Sequence, residues 1–207
     1  MSTRDELVEA TCRILRREGL AKLSTRLVAR EAGVSEGALY KHFQTKEEML
    51  VAAVDLLVAP YSAITAELPH RVGLGSVAET LTDLVVANYG FLRQATPIWG
   101  SLHADPALHE RYLALLRERD LGPHHAMALL GRYIAAEQRL GRLNPALDPA
   151  AVANILMAVA HFHASMDGGF KRPDDDAPAR VRHTLSVALA GLALAPSAPA
   201  SSERSNP

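Results

Sequence analysis

Residues 24–46 read STRLVAREAGVSEGALYKHFQTK. Ser24 is placed to cap a short helix running through Ala32, with Leu27, Val28 and Ala32 turned inward. Gly33 follows at the helix end, where a positive φ is often required. Ser35 can cap a second short helix that ends near Phe43. Two short helices around a tight turn at Gly33-Val34 have the geometry of a helix-turn-helix, whose second helix lies in the DNA major groove while the first crosses the backbone. Val28, Ala29, Val34, Leu39 and Phe43 supply a compact apolar interior. Ala29 and Ala32 are small enough for the helices to approach closely. Thr25, Arg26, Tyr40, Lys41, His42 and Lys46 remain outside as hydrogen-bond donors.

The flanking sequence is helical in both directions. Upstream, Leu7, Val8, Thr11, Ile14 and Leu15 line one face of a helix over 4–18, which Gly19 stops. Downstream, Thr45 caps a helix whose apolar positions Met49, Leu50, Ala53, Val54 and Leu57 continue to Pro60. Residues 75–95, 122–140 and 177–195 keep the helical period. Asp105-Pro106 and Asp148-Pro149 each place a capping residue before a first-turn proline. No segment reads as a strand, so the fold class is all-α. The stretch 171–178, KRPDDDAP, reads as a polar loop, and residues 195–207 lack the apolar residues that would anchor them, which predicts disorder.

Composition narrows the partners. The 207 residues are 48% apolar and 22% charged, with a net charge of −1. Nine basic and eight acidic side chains precede residue 51, so DNA binding would rest on a few placed cations rather than bulk attraction. The lone Cys12 cannot form an internal disulfide and reads as a small core residue. No apolar run reads as long enough to cross a bilayer, and the start has no signal pattern; together these predict a cytoplasmic protein without a membrane partner. Gly33-Val34-Ser35-Glu36-Gly37 matches the G-x-S-x-G of hydrolases, but that motif needs a preceding strand, and LVAREA has helical pattern. No convergent titratable cleft is visible, so the chain does not read as an enzyme. His124-His125 and His161-x-His163 lack the i, i+3 or i+4 spacing that puts two ligands on one helix face, so no metal or other cofactor is expected. Asp174 to Asp176 lacks the glycine and glutamate of a calcium loop.

Residues 19–50 carry G-L-x-K-L-S-T-R-x-V-A-x-E-A-G-V-S-x-G-A-L-Y-x-H-F-x-x-K-E-x-M-L, and with the helix before them they resemble the TetR/AcrR family of bacterial regulators. The AGVS-x-G-x-LY-x-HF-x-x-K core carries many fixed residues at fixed offsets. Two residues depart from the family pattern: Leu27 stands at a usually polar position, and Leu15 often has phenylalanine in its place. The resemblance implies a helix-turn-helix domain over 1–48, a helical ligand-binding and dimerisation domain over 49–194, and a tail over 195–207. It implies a recognition helix from Ser35 to Phe43, with Glu36, Gly37, Ala38 and Lys41 facing base edges. Thr25, Tyr40, His42 and Lys46 would hold phosphates, and Arg26 a phosphate or a base. Lys46 adds a hint of its own, since a cation at a helix N-terminus is electrostatically poor unless an anion is near.

The resemblance further implies a homodimer through residues 149–194 that binds double-stranded DNA at a palindromic operator. It implies a small-molecule effector that releases a repressor by shifting the helix beginning at Thr45. Tyr89, Trp99, His103, Tyr112, Met127, Met157, His161 and Phe162 are the large or polarisable residues available to line an effector pocket. A ligand-independent activator or an architectural dimer is the alternative reading.

Overall fold

The computed structural model describes residues 2–170 and 176–191. The expected tail, and most of the loop expected over 171–178, lie outside the described residues. Among those described there are helices and turns and no strand. The order is α1 (Thr3–Glu18), α2 (Thr25–Glu31), α3 (Glu36–Tyr40), α4 (Lys46–Arg71), α5 (Val77–His103), α6 (Pro106–Glu118), α7 (Pro123–Arg139), α8 (Pro149–Phe170) and α9 (Ala177–Ala190), with a single 3-10 turn at Leu20–Lys22.

The helix boundaries follow local chemistry. The Ser2 hydroxyl accepts from Asp5 N while the Asp5 side chain accepts from Ser2 N, a reciprocal cap that fixes the start of α1. Ser24, Ser35, Thr45, Ser76 and Asp105 cap α2 to α6 through their side-chain oxygens. Gly19, with φ of 78°, ends α1.

Two helices run further than their sequence predicts. α4 passes through Pro60 and Pro69, and α5 passes through Pro97. A proline removes one N–H and crowds the carbonyl four residues earlier. Leu56 and Pro60 both lie on the solvent side, where water can take the place of the lost donor. Beyond Pro60, the buried Tyr61, Thr65 and Leu68 share one face and hold the continuation against the core. Tertiary packing therefore outweighs the local penalty.

This length also corrects the reading that no apolar run is long enough to cross a bilayer. α4 and residues 149–168 of α8 are each long and apolar enough to cross a bilayer by length and composition alone. Here α4 packs against α1, α5, α6 and α7, and α8 against α5, α7 and α9.

Two apolar clusters meet along α4 and α5. The first joins α1 to α3 with the start of α4, and reaches Ile98 and Leu102 of α5 and Leu108 and Tyr112 of α6. The second fills the space between the later part of α4, α5, α7, α8 and α9 around Leu81, Leu84, Tyr133, Ile134 and Leu156. Cys12 is 3% exposed within the first. On α8, Ile155 is 54% exposed, because Val152, Leu156 and Ala160 occupy the face toward the second cluster.

Candidate nucleic-acid interface

The turn between α2 and α3 is built by the backbone. Val34 N donates to Ala29 O at 2.9 Å and Gly33 N to Arg30 O at 3.2 Å. This six-to-one and five-to-two pair ends a helix at a left-handed residue. Gly33 has φ of 71°, the conformation that glycine adopts without strain. Val34 then folds back onto the first apolar cluster. α3 leaves at the angle these bonds dictate, and Leu39 and Phe43, 0% and 3% exposed, anchor it from beneath.

α3 is shorter than expected. Regular helix ends at Tyr40, Lys41 is its cap, and His42 N and Phe43 N still donate to Leu39 O at 2.9 and 3.0 Å. One inward side leaves the other side to solvent. Glu36, Gly37, Tyr40, Lys41 and His42 are exposed, as is Arg26 on α2, while Thr25 and Ala38 are half-buried. The Ser35 hydroxyl accepts from Ala38 N at 3.1 Å, so its oxygen serves the cap and its proton remains to be donated. Thr25 Oγ1 and Tyr40 Oη stand 3.4 Å apart, which brings the start of α2 and the end of α3 to one point.

Lys46 is placed differently from its sequence reading. Its Nζ donates to Leu20 O at 3.4 Å and is partly buried. The carbonyl of the 3-10 turn therefore offsets the poor position of a cation at the start of α4, and no anion is needed to explain it. An ammonium has further donors.

The acidic side chains near the motif are paired with arginines from elsewhere. Glu31 accepts from Arg13 and Arg17 of α1 at 3.1 and 3.0 Å. Those hydrogen bonds, Arg17 first, hold its carboxyl below the usual range. Glu47, 8% exposed, pairs with Arg111 of α6. Burial raises the Glu47 carboxyl, but the Arg111 and cap hydrogen bonds oppose it and the net shift is downward. Glu48 accepts from Arg119 at 3.3 Å and from Gln44 N at 2.7 Å. Among the described residues, Arg26 and Lys41 form no ion pair, and neither does Glu36. Arg111 and Arg119 are contributors that sequence reading missed, since sequence separations of 64 and 71 residues leave no local signal; Gln44, whose partners lie four residues away, was also missed. The guanidinium of Arg4 also lies 5.2 Å from the centre of the Phe43 ring, over the base of α3.

The eight residues suggested for an effector pocket do not converge. Tyr112 is buried in the first cluster, with its phenol pushed up to about 12 by burial and then by Asp55. Tyr89, Met127 and Met157 belong to the second cluster, and Trp99 touches both. The Tyr89 hydroxyl donates to Asp167 at 2.7 Å. His103 is exposed, its Nδ1 2.7 Å from Trp99 O. His161 and Phe162 are exposed and point away from the bundle, because His163 and Ala164 take the inward face of α8. Two open grooves, of about 430 Å³ between α1 and α4 and about 420 Å³ between α5 and α9, are lined by none of the eight. Two unanticipated residues do converge: Asn88 Nδ2 and Tyr61 Oη point at Met157 Sδ from 3.1 and 3.5 Å.

Comparison with known proteins agrees with the motif and the architecture. Residues 7–53 match the family model described as bacterial regulatory proteins, tetR family. The nucleoid occlusion factor SlmA of Aliivibrio fischeri (strain MJ11) is 38% identical over 55 residues, which are 26% of this chain and 28% of that protein. The match thus spans little more than a quarter of that relative's length. SlmA of Marinomonas sp. (strain MWYL1) is 26% identical over 75% of this chain and 78% of its own. Among solved structures, a TetR transcription regulator from Haloarcula marismortui superposes with a TM-score of 0.68 at 18% identity, covering 93% of this chain and 98% of that one. The fatty acid degradation regulator FadR from Bacillus halodurans gives 0.68 at 18% identity, covering 93% and 97%. The N-terminal segment thus carries the helix-turn-helix signature of the tetR family of bacterial regulatory proteins, and the chain as a whole shares the all-helical fold of the solved regulators on which it superposes.

Proposed function

We propose that two copies of this chain pair through residues 149–194 and bind a palindromic operator as a repressor, which a small-molecule effector releases. One observation carries the DNA-contact assignment. The outer side of α3 holds Glu36, Gly37 and Lys41 exposed, while the surrounding carboxylates Glu31, Glu47 and Glu48 are tied to arginines. Gly37 supports the same reading. Its backbone needs no positive φ, and a Cβ there would meet only Ser35 Oγ, at 3.9 Å. The missing side chain leaves this stretch of backbone open to close approach by an outside surface. Gly37 and Ala38 let α3 sit deep in the major groove. Lys41 donates to guanine O6/N7, and Glu36 accepts from cytosine N4. The adjacent Thr25 and Tyr40 hydroxyls, with Ser35, His42 and Lys46, hold phosphates, and Arg26 a phosphate or a base.

Pairing is supported by the uncovered face of α8. Ala151, Ile155, Ala158 and Phe162 are all exposed at helical spacing, with Val187 exposed on the neighbouring α9. A self-complementary patch of this kind closes a two-fold dimer, and it places two recognition helices about 34–36 Å apart. Effector binding is supported by the Asn88, Tyr61 and Met157 cluster. A thioether is a weak acceptor, so a polar ligand group between α4, α5 and α8 would satisfy those donors better and would press on α4. Effector and DNA then oppose each other reciprocally. The test is to select bound fragments from genomic DNA at near-physiological salt. A palindrome with half-sites about one helical turn apart supports the reading; recovery of fragments without any common sequence overturns it.

A further inference from the structure

The corner between α6 and α7 brings together three side chains that the function above does not use. α6 ends in a left-handed turn at Asp120, whose φ is 50°, with Leu121 N donating to Leu116 O at 2.8 Å and Asp120 N to Arg117 O at 3.2 Å. The chain then enters α7 at Pro123, followed by His124 and His125. Adjacent residues do not share a helix face, which is why the pair carries no metal signal in sequence. In the folded chain the two rings instead lie against each other, centroids 4.0 Å apart, and each turns one nitrogen toward the Asp120 carboxylate. His124 Nε2 is 3.2 Å from Asp120 Oδ1, and His125 Nε2 is 3.2 Å from Oδ2 and 2.8 Å from the Asp120 backbone O, a contact that a bound ion would replace. One ligand atom from each of the three lies within 4.8 Å of the others. The His124 ring is seated over Gly122, where a Cβ would stand 3.1 Å from Nδ1. A larger residue at 122 would push the ring out of this arrangement.

We propose that Asp120, His124 and His125 form a binding site for a first-row divalent transition metal ion, of the Zn²⁺, Co²⁺ or Ni²⁺ type. Two ligands about 2.1 Å from a tetrahedral centre stand about 3.4 Å apart, close to the spacing of both nitrogen–oxygen pairs. Two imidazoles and one carboxylate select borderline transition ions over Mg²⁺ and Ca²⁺, which prefer all-oxygen sites. All three side chains are open to solvent, with relative exposures of 78% for Asp120, 58% for His124 and 55% for His125. Water therefore completes the coordination, and an ion can enter without unfolding.

The position of the site gives it a lever on the DNA-binding unit. Asp120 directly follows Arg119, which donates to Glu48 Oε1 at 3.3 Å. The other oxygen of Glu48 accepts from Gln44 N at 2.7 Å, and the Gln44 side chain donates to Tyr40 O at the end of α3. Metal binding fixes the end of α6 and so biases this chain of contacts. The lever rests on the proposed DNA-binding role; the site itself does not.

The test uses the full chain with the metal alone. Co²⁺ is titrated and followed by its visible absorption, and Zn²⁺ is titrated by calorimetry. The expected result is one ion per chain, weakened about tenfold or more in both His124→Ala and His125→Ala. His103→Ala, at an exposed histidine whose ring lies 4.8 Å from that of the half-buried His109, should bind as wild type. Because positions 124 and 125 are exposed, the variants should keep the wild-type melting curve, which separates lost ligation from lost fold. Equal metal affinity in wild type and a His124→Ala/His125→Ala double variant overturns the site. A second arm measures affinity for a selected DNA fragment with and without Zn²⁺. A shift of about fivefold that disappears in the double variant supports the lever. An unchanged affinity overturns the lever, and failure to bind DNA in any condition overturns the functional reading instead.

Discussion

Arg111→Ala tests whether α6 braces the DNA-binding unit. Its guanidinium pairs with Glu47 in the first turn of α4; the arginine side chain is 61% exposed and the glutamate side chain 11%. Removing one partner of a fully buried pair costs about 3–5 kcal/mol, and an exposed pair contributes under about 1 kcal/mol. This pair is buried at the carboxylate end and open at the other. The loss is that of a charged hydrogen bond to a half-shielded acceptor, about 2 kcal/mol. For a chain of this length that corresponds to about 4–8 °C in Tm. Trp99 is the only tryptophan and touches both apolar clusters, so its fluorescence reports urea unfolding of either. Glu47→Gln, Arg111→Ala and the double variant complete a cycle, and its coupling should be at least about 1 kcal/mol. Strict additivity, with each single variant losing less than about 0.5 kcal/mol, would refute the brace.

Three further outcomes follow. The Glu47 carboxyl lies below its ordinary value of 4.5 in the folded chain, so its stabilisation is fully present above about pH 4.5 and is lost as pH falls through the lowered value; urea midpoints taken from pH 7 down to pH 3 should show a shallower acid decline in Glu47→Gln than in wild type. Gly33→Ala places a Cβ in open space at φ of 71°, so only the backbone objects, and urea unfolding should show a loss of about 1–2 kcal/mol. Phe162→Asp puts a charge on the uncovered face of α8, and light scattering should find a dimer for the wild type and a monomer for the variant, with the melting curve of the isolated chain little changed.

The parts of the fold that were legible in sequence were those fixed by local chemistry. Ser24, Ser35 and Thr45 mark three helix starts, and Gly19 and Gly33 mark two ends, because caps and left-handed residues act within four positions. The lengths of α4 and α5 were not legible. Pro60 and Pro97 argue locally for a stop, and the packing of Tyr61, Leu68, Ile98 and Leu102 that overrides them comes from distant segments. The exposed residues of α3 could be read from Leu39 and Phe43, since fixing the inward side leaves the other outside. Arg111 and Arg119 could not be read, nor could Asn88 and Met157, because each pairing joins helices far apart in the chain. Aromatic size alone was a poor guide to a pocket, because His103, His161 and Phe162 are large or polarisable yet sit on the surface.

The most direct test of the central claim is the affinity of purified chain for a selected operator fragment, measured by fluorescence anisotropy over a range of salt. Lys41→Ala should weaken binding by about 1–3 kcal/mol and relax the preference at one base position. The wild type should lose affinity with a log-log salt slope near −0.9 for each phosphate contacted. Lys41→Ala binding with wild-type affinity and unchanged sequence preference would contradict the assignment of α3 as the element that reads DNA.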